Sequence, residues 1–131
     1  MSTRQRKKAV ARHANRVAMG PQATLRWLRM SPYKVRLVVD MIRGKPIEEA
    51  MNILAFAHKA AAKPVLKLVK SAVANADERG NFNLDRLYVE TAVVDEGPTW
   101  RRWMPRAMGR ATRIRKRTSH VTVILKERAG A

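Results

Sequence analysis

The residues best suited to chemistry in this chain are arginines. Between Gly97 and Arg117 stand Arg101, Arg102, Arg106, Arg110, Arg113, Arg115 and Arg117, with Lys116 as the one lysine and no acid. A guanidinium pairs phosphate through a planar bidentate fork and stacks on flat rings, whereas an ammonium acts mainly as a point charge. Trp100 and Trp103 lie in the same stretch. They offer flat surfaces to unstacked bases, or they pack on the opposite strand as a small apolar core. Charge at this density cannot be buried, because unpaired guanidinium groups away from water are very costly. The chemistry is recognition of folded RNA rather than bond making.

No catalytic constellation competes with that reading. His13, His58 and His120 are scattered, with no paired carboxylates and no glycine-rich phosphate loop to join them. Cysteine is absent, which excludes disulfides, thiol nucleophiles and thiolate metal sites and suits a reducing cytosol. His120 follows Thr118 and Ser119, so a hydroxyl nucleophile and an imidazole base stand side by side, but a strand-end histidine contacting RNA or backbone accounts for it more simply. No enzyme activity, cofactor, metal or small-molecule substrate is expected.

Composition points the same way. The 28 Lys+Arg against 10 Asp+Glu give a formal net charge of +18 and a pI near 11.6. Self-repulsion on that scale favours life beside a polyanion. Nucleic acid is the first candidate and an anionic membrane surface the second. A hydrophobic fraction of 46% is too high for a purely disordered basic tail, so a folded core underlies the charge. The 131 residues suit one domain. No apolar run approaches the roughly 18 residues of a membrane span, and the basic N-terminus lacks the apolar stretch of a signal peptide. No helix pairs a basic face with a bulky apolar one, which disfavours the membrane surface.

The elements that must position these residues follow from periodicity. Residues 1–22 read as a basic tail carrying Arg4, Arg6, Lys7, Lys8, Arg12 and Arg16, disordered when free and ordering on RNA. Ala23 to Met30 is a strand candidate, with Leu25 and Trp27 on one face and Leu28 and Met30 on the other. Ser31-Pro32 starts a helix, Ser as a cap and Pro at the first helical position. Val35, Val38, Val39 and Ile42 form its buried face, and Gly44 ends it in a left-handed conformation. Lys45-Pro46 opens a second helix with Glu48 and Glu49 in its first turn and Ile47, Ala50, Met51 and Leu54 inward.

A third helix from about Ala61 to Glu78 buries Val65, Val69, Ala72 and Ala76. It turns Lys59, Lys63, Lys67 and Lys70 outward, as a solvated stripe or an RNA face. Arg86 to Glu96 alternates as a strand, with Leu87, Val89, Thr91 and Val93 against Tyr88, Glu90, Ala92 and Val94. Thr118 to Lys126 is a second clear strand, with Val121, Val123 and Leu125 on one face.

Between those strands lies the arginine-rich segment. Structureless connections longer than about 12–15 residues are uncommon in compact domains and usually functional. A floppy loop is one option. The other extends the flanking strands into a two-stranded arm with Pro105 to Gly109 near its tip. Arg113, Arg115 and Arg117 share a face by period two, and Arg102, Arg106 and Arg110 line up opposite, which favours the arm. About ten residues per side at about 3.3 Å each would reach roughly 30 Å. An isolated hairpin is marginal in water, so a surrounding partner is implied. Lys34, Arg36, Arg43 and Lys45 provide a second cationic surface on the globular part. Three helices followed by a hairpin is also the order of a winged-helix DNA-binding protein. Against that rival, a wing is ordinarily shorter, and the third helix shows lysines where base-reading side chains would stand.

At particular residues the chain resembles a known family. Ser31-Pro32-Tyr33-Lys34-Val35-Arg36-Leu37-Val38, then Ile42-Arg43-Gly44-Lys45, are similar to the first helix of bacterial large-subunit ribosomal protein L-twenty-two. Ala72 to Ala76 is similar to its third helix. Most specific are Val94-Asp95-Glu96-Gly97-Pro98, Met104-Pro105-Arg106-Ala107, Gly109-Arg110-Ala111 and Lys116-Arg117-Thr118-Ser119-His120-Val121-Thr122-Val123. The chain departs from the family at Tyr33, Trp100, Trp103, Met108 and Thr112.

The resemblance implies an α+β domain over residues 23–128: three helices packed on a small three-stranded antiparallel sheet, with a long protruding β-hairpin at about 95–119 and a C-terminal tail at 129–131. It implies a structural constituent of the large ribosomal subunit, in the cytoplasm, with the globular domain on ribosomal RNA near the exit-tunnel opening. The hairpin would line the tunnel beside neighbouring large-subunit proteins and the nascent peptide, its tip near the macrolide site, and the protein would contribute to subunit assembly. Expected RNA contacts in the hairpin are Trp100, Arg101, Arg102, Trp103, Arg106, Arg110, Arg113, Arg115, Lys116, Arg117, Thr118, Ser119 and His120.

Overall fold

Apolar side chains at helical spacing need a surface to cover, and here that surface is one face of an antiparallel sheet. A computed structural model describes residues 20–128 together with Gln5, Lys7, Lys8, Val10 and Ala11. Arg4, Arg6, Arg12 and Arg16 of the expected tail, and residues 129–131, lie outside the described residues. Lys7 and Lys8 are helical and exposed.

The elements run β1 (Gln22–Leu28), α1 (Pro32–Asp40), α2 (Ile47–Phe56), α3 (Ala62–Arg79), β2 (Leu87–Glu96), β3 (Trp100–Pro105), β4 (Ala111–Lys116) and β5 (Ser119–Glu127). Over residues 20–128 the fold is α+β, with three helices and two antiparallel sheets. One has three strands in the order β1-β5-β2, and the other pairs β3 with β4. Four strands, β2 to β5, thus stand where two continuous ones were expected. The interruptions fall at 97–99 and 117–118, where Pro98 has no N–H to donate to a ladder.

The expected helix faces turn inward, with Ile47, Ala50 and Leu54 of α2 buried and Met51 only partly so. Val35, Val38, Val39 and Ile42 are inaccessible, as are Val65, Val69, Ala72 and Ala76, and Leu68 joins the latter set. Pro64 falls in the first turn of α3, where its missing N–H costs no helical hydrogen bond. Gly80 closes α3 in left-handed conformation, whereas α1 ends earlier than expected, at Asp40 with Met41 as a right-handed cap, and the left-handed Gly44 ends the turn that follows it. Ser31 stands at the N-cap of α1 without a side-chain hydrogen bond. Its carbonyl instead accepts from the Lys34 and Val35 N–H groups at 3.1 and 3.3 Å.

Two strands depart from the simple alternation. In β2, Val89 pairs with Leu125 and Thr91 with Ile124, leaving Glu90 as an extra residue. Side-chain direction has period two, so one extra residue exchanges the faces. Leu87 and Val89 point inward, then Ala92 and Val94, while Val93 turns out to 42% exposure. Glu90 reaches Lys126 Nζ at 2.8 Å, and its carboxylate holds that exposed ammonium above its ordinary range.

β1 behaves likewise. Its register with β5 shifts between Leu25 and Leu28. Leu25 and Leu28 both pack on the core, and Trp27 turns outward in a left-handed conformation with φ 61°. Trp27 therefore does not share the Leu25 face. A bulky side chain in that region carries on the order of 1–3 kcal/mol of strain, and the Trp27 N–H donating to His120 Nδ1 at 3.0 Å helps to hold it.

Candidate RNA interface

The expected contact residues divide into an exposed ladder, the junction at its root, and the start of α1. In the ladder, Trp100 pairs with Lys116, Arg101 with Arg115, Arg102 with Ile114, Trp103 with Arg113, Met104 with Thr112 and Pro105 with Ala111. Arg101, Trp103, Arg113 and Arg115 thereby share one face, and Trp100, Arg102, Ile114 and Lys116 share the other. All six residues of β3 are exposed, and in β4 only Ile114 is partly covered. Trp100 and Trp103 lie on opposite faces, 54% and 62% exposed, so they do not pack on one another as a small core. The Arg113 guanidinium carbon sits 5.6 Å from the centre of the Trp103 ring, a cation–π contact across the pair.

Arg106 and Arg110 leave the strand faces. They bracket the tip, where the Arg106 N–H donates to the Arg110 carbonyl at 2.7 Å. The turn between them needs φ 59° at Met108 and 66° at Gly109, and puts Met108 93% into solvent. Six paired residues a side span roughly 20 Å at about 3.3 Å each; the tip and the junction extend beyond that.

At the junction the side chains are enclosed. Thr118 is 3% exposed and its hydroxyl donates to the Pro98 carbonyl at 2.6 Å, while the Gly97 N–H donates to the Thr118 carbonyl at 2.9 Å. Ser119 is fully buried and its Oγ has no hydrogen-bond partner among the described residues. Thr118 and Ser119 therefore shape the root of the ladder from inside rather than presenting surface, and His120 is occupied at Nδ1 by Trp27. Tyr33 lies between two guanidinium groups, with Arg36 at 5.4 Å and Arg117 at 5.6 Å from its ring centre. That contact ties the base of β4 to α1.

The globular set proves mixed. Arg36 donates to the Val94 carbonyl at 3.1 Å and Arg43 to the Ala92 carbonyl at 2.8 Å, so both cap backbone acceptors along β2. Arg43 also meets Asp40 at 2.8 Å, and Lys45 pairs with Glu49. Lys34 has no such partner among the described residues. It lines one cleft with Trp100, Arg102, Lys116 and Arg117, which unites the first helix with the ladder. Arg29 lines the same cleft and was not foreseen; its signal was a cation just before the Ser31-Pro32 helix start. No arginine of the ladder is in an ion pair among the described residues, so its positive charge is uncompensated. Those residues hold no cluster of potential metal ligands and no helix long and apolar enough to cross a membrane.

Residues 23–126 match the profile of the family described as Ribosomal protein L22p/L17e. The chain belongs to that family. It is 60% identical over 111 residues to large ribosomal subunit protein uL22 of Myxococcus xanthus, covering 83% of this chain and 97% of the relative. The uL22 of Syntrophotalea carbinolica is 57% identical over 110 residues, covering 84% of this chain and 100% of the relative. That of Geobacter sulfurreducens is 54% identical, with 84% and 99% covered. The matched span includes the ladder.

Proposed function

We propose that the chain is a structural constituent of the large ribosomal subunit that binds large-subunit ribosomal RNA and performs no catalysis. One observation carries this reading: an exposed antiparallel ladder with seven arginine or lysine side chains from Trp100 to Lys116 and no carboxylate to neutralise them. Such a surface is self-repelling until phosphate surrounds it. Residues 23–128 act as one domain, and the ladder is a protruding hairpin arm. Arg101, Arg102, Arg106, Arg110, Arg113, Arg115, Lys116 and Arg117 pair with phosphates, and Trp100 and Trp103 stack on bases, one from each face. Lys34 extends that surface onto the globular domain, with Arg36, Arg43 and Lys45 contributing the charge their internal partners leave over. Tail residues Arg4, Arg6, Lys7, Lys8, Arg12 and Arg16 add contacts when RNA is present.

By family resemblance, the domain sits near the exit-tunnel opening in the cytoplasmic ribosome. The arm lines the tunnel beside other large-subunit proteins, in reach of the nascent peptide and with its tip near the macrolide site. The protein assists assembly of the subunit. The test is co-sedimentation: the chain should remain with large subunits through a high-salt wash. A second test replaces Trp100–Lys116 by an Asn-Gly turn, which should erase arm-dependent RNA protection; unchanged footprints would sink the arm reading.

A further inference from the structure

The outward bulge of β1 builds a second kind of site, away from the arm. Trp27, Thr24, Arg26 and Gln22 line an open cleft with His120 and Thr122 of β5, Asp95 of β2 and Arg79 at the end of α3. Its volume is about 790 Å³. Three features make it more than a surface depression. The first is the backbone at Trp27. A bulky residue at φ 61° is uncommon, and the strain has a structural consequence: the indole leaves the sheet and stands 59% exposed over the cleft. The second is how that ring is held. The Trp27 backbone N–H donates to His120 Nδ1 at 3.0 Å, which fixes the main chain beneath the ring, and the His120 ring meets the indole edge-on, 5.4 Å between centres at 80°. A perpendicular neighbour steadies the ring and leaves indole surface open to a flat ligand.

The third feature is charge. Arg26 and Arg79 are cations without an ion pair among the described residues, and Asp95 is the one carboxylate in the lining, likewise without an ion pair there. An acid is out of place in a purely phosphate-binding groove. It suits a base edge that presents donors, because an ionised carboxylate is acceptor-only and takes two parallel N–H bonds. Among the four RNA bases only guanine offers two adjacent donors, N1–H and the N2 amine, on its Watson–Crick edge. Adenine would place its N1 acceptor against the carboxylate, and uracil its carbonyls.

We propose that this cleft binds one unstacked guanine nucleotide of the large-subunit RNA. The base lies on Trp27, its N1 and N2 donors meet Asp95, and Arg26 and Arg79 take the flanking phosphates. The proposal rests on the RNA-binding function put forward above, but uses none of the ladder residues from Trp100 to Lys116. It makes the domain a reader of a single base as well as a holder of backbone.

The test is footprinting of full-length protein on large-subunit RNA with a reagent that modifies guanine at N1 and N2. Wild-type protein should shield at least one guanine in an unpaired segment. Asp95→Asn, nearly isosteric, should restore that guanine's reactivity while the arm-dependent backbone protections persist. Trp27→Gly relieves the left-handed strain, so it should fold at least as well by thermal melting. It should still weaken RNA binding by roughly tenfold through loss of a base stack. If both variants leave the guanine pattern and the affinity at wild-type values, the site is overturned. If the wild-type chain protects no RNA at all, the RNA-binding function fails, and this site with it.

Discussion

Gly97 sits where no side chain fits. A methyl group there would overlap the Thr118 hydroxyl and approach the Thr118 carbonyl carbon at 3.2 Å and His120 Nε2 at 3.3 Å. The obstruction includes backbone, which cannot swing aside as a flexible side chain can. Gly97→Ala should therefore cost about 1–3 kcal/mol, the usual range for overpacking, read as a lower urea midpoint with an unchanged slope. Gly44 provides the contrast. It has φ 77° with open space around the missing Cβ, so Gly44→Ala should lose only about 1 kcal/mol, from backbone strain alone. At this scale the sequence was partly legible: the left-handed Gly44 follows from its place after a periodic helix. The need for glycine at 97 depends on Thr118, which folding brings against it.

At the scale of elements, Arg36 of α1 and Arg43 of the turn that follows it do two jobs. Arg36 and Arg43 donate to Val94 and Ala92 carbonyls, alternate residues on the strand that ends the β1-β5-β2 sheet. Exposed edges invite pairing with another chain, and charged caps block it. Replacing both with lysine keeps the charge but loses the planar fork. The double variant should lose about 1–2 kcal/mol, since each charge-assisted bond here is only partly buried, while the salt dependence of RNA binding stays near wild type. A marked loss of RNA affinity with unchanged melting would instead place both guanidinium forks on RNA. The β3–β4 ladder is the opposite kind of element. None of its residues joins the core, so an Asn-Gly turn in place of Trp100–Lys116 should leave urea stability within about 1 kcal/mol of the intact chain, surface changes being small as a rule.

For the molecule as a whole, charge and architecture are separable. The helices and the inner sheet face enclose one core, while the densest run of uncompensated cations lies on the ladder and continues along the cleft beside Lys34 and Arg29. Each phosphate contact contributes roughly 0.7–0.9 to the slope of log affinity against log salt. Removing Trp100–Lys116 takes away seven cations. The slope should then fall by up to about 5–6, measured by filter binding or fluorescence over a salt series. A much smaller change would mean that the arm holds RNA through stacking or shape rather than charge.

The sequence by itself determined what depends on local period and on summed charge. Val35, Val38, Val39 and Ile42 at helical spacing, Val121, Val123 and Leu125 at strand spacing, and an acid-free arginine run needed no partner to be read. Tertiary structure decided what depends on registration between distant strands. The extra residue at Glu90 and the left-handed Trp27 each exchange the faces of a strand, and both are settled by pairing with β5. It also decided which cations are spent inside the domain. Arg36 and Arg43 find their acceptors 58 and 49 residues away, a distance over which composition and periodicity carry no information.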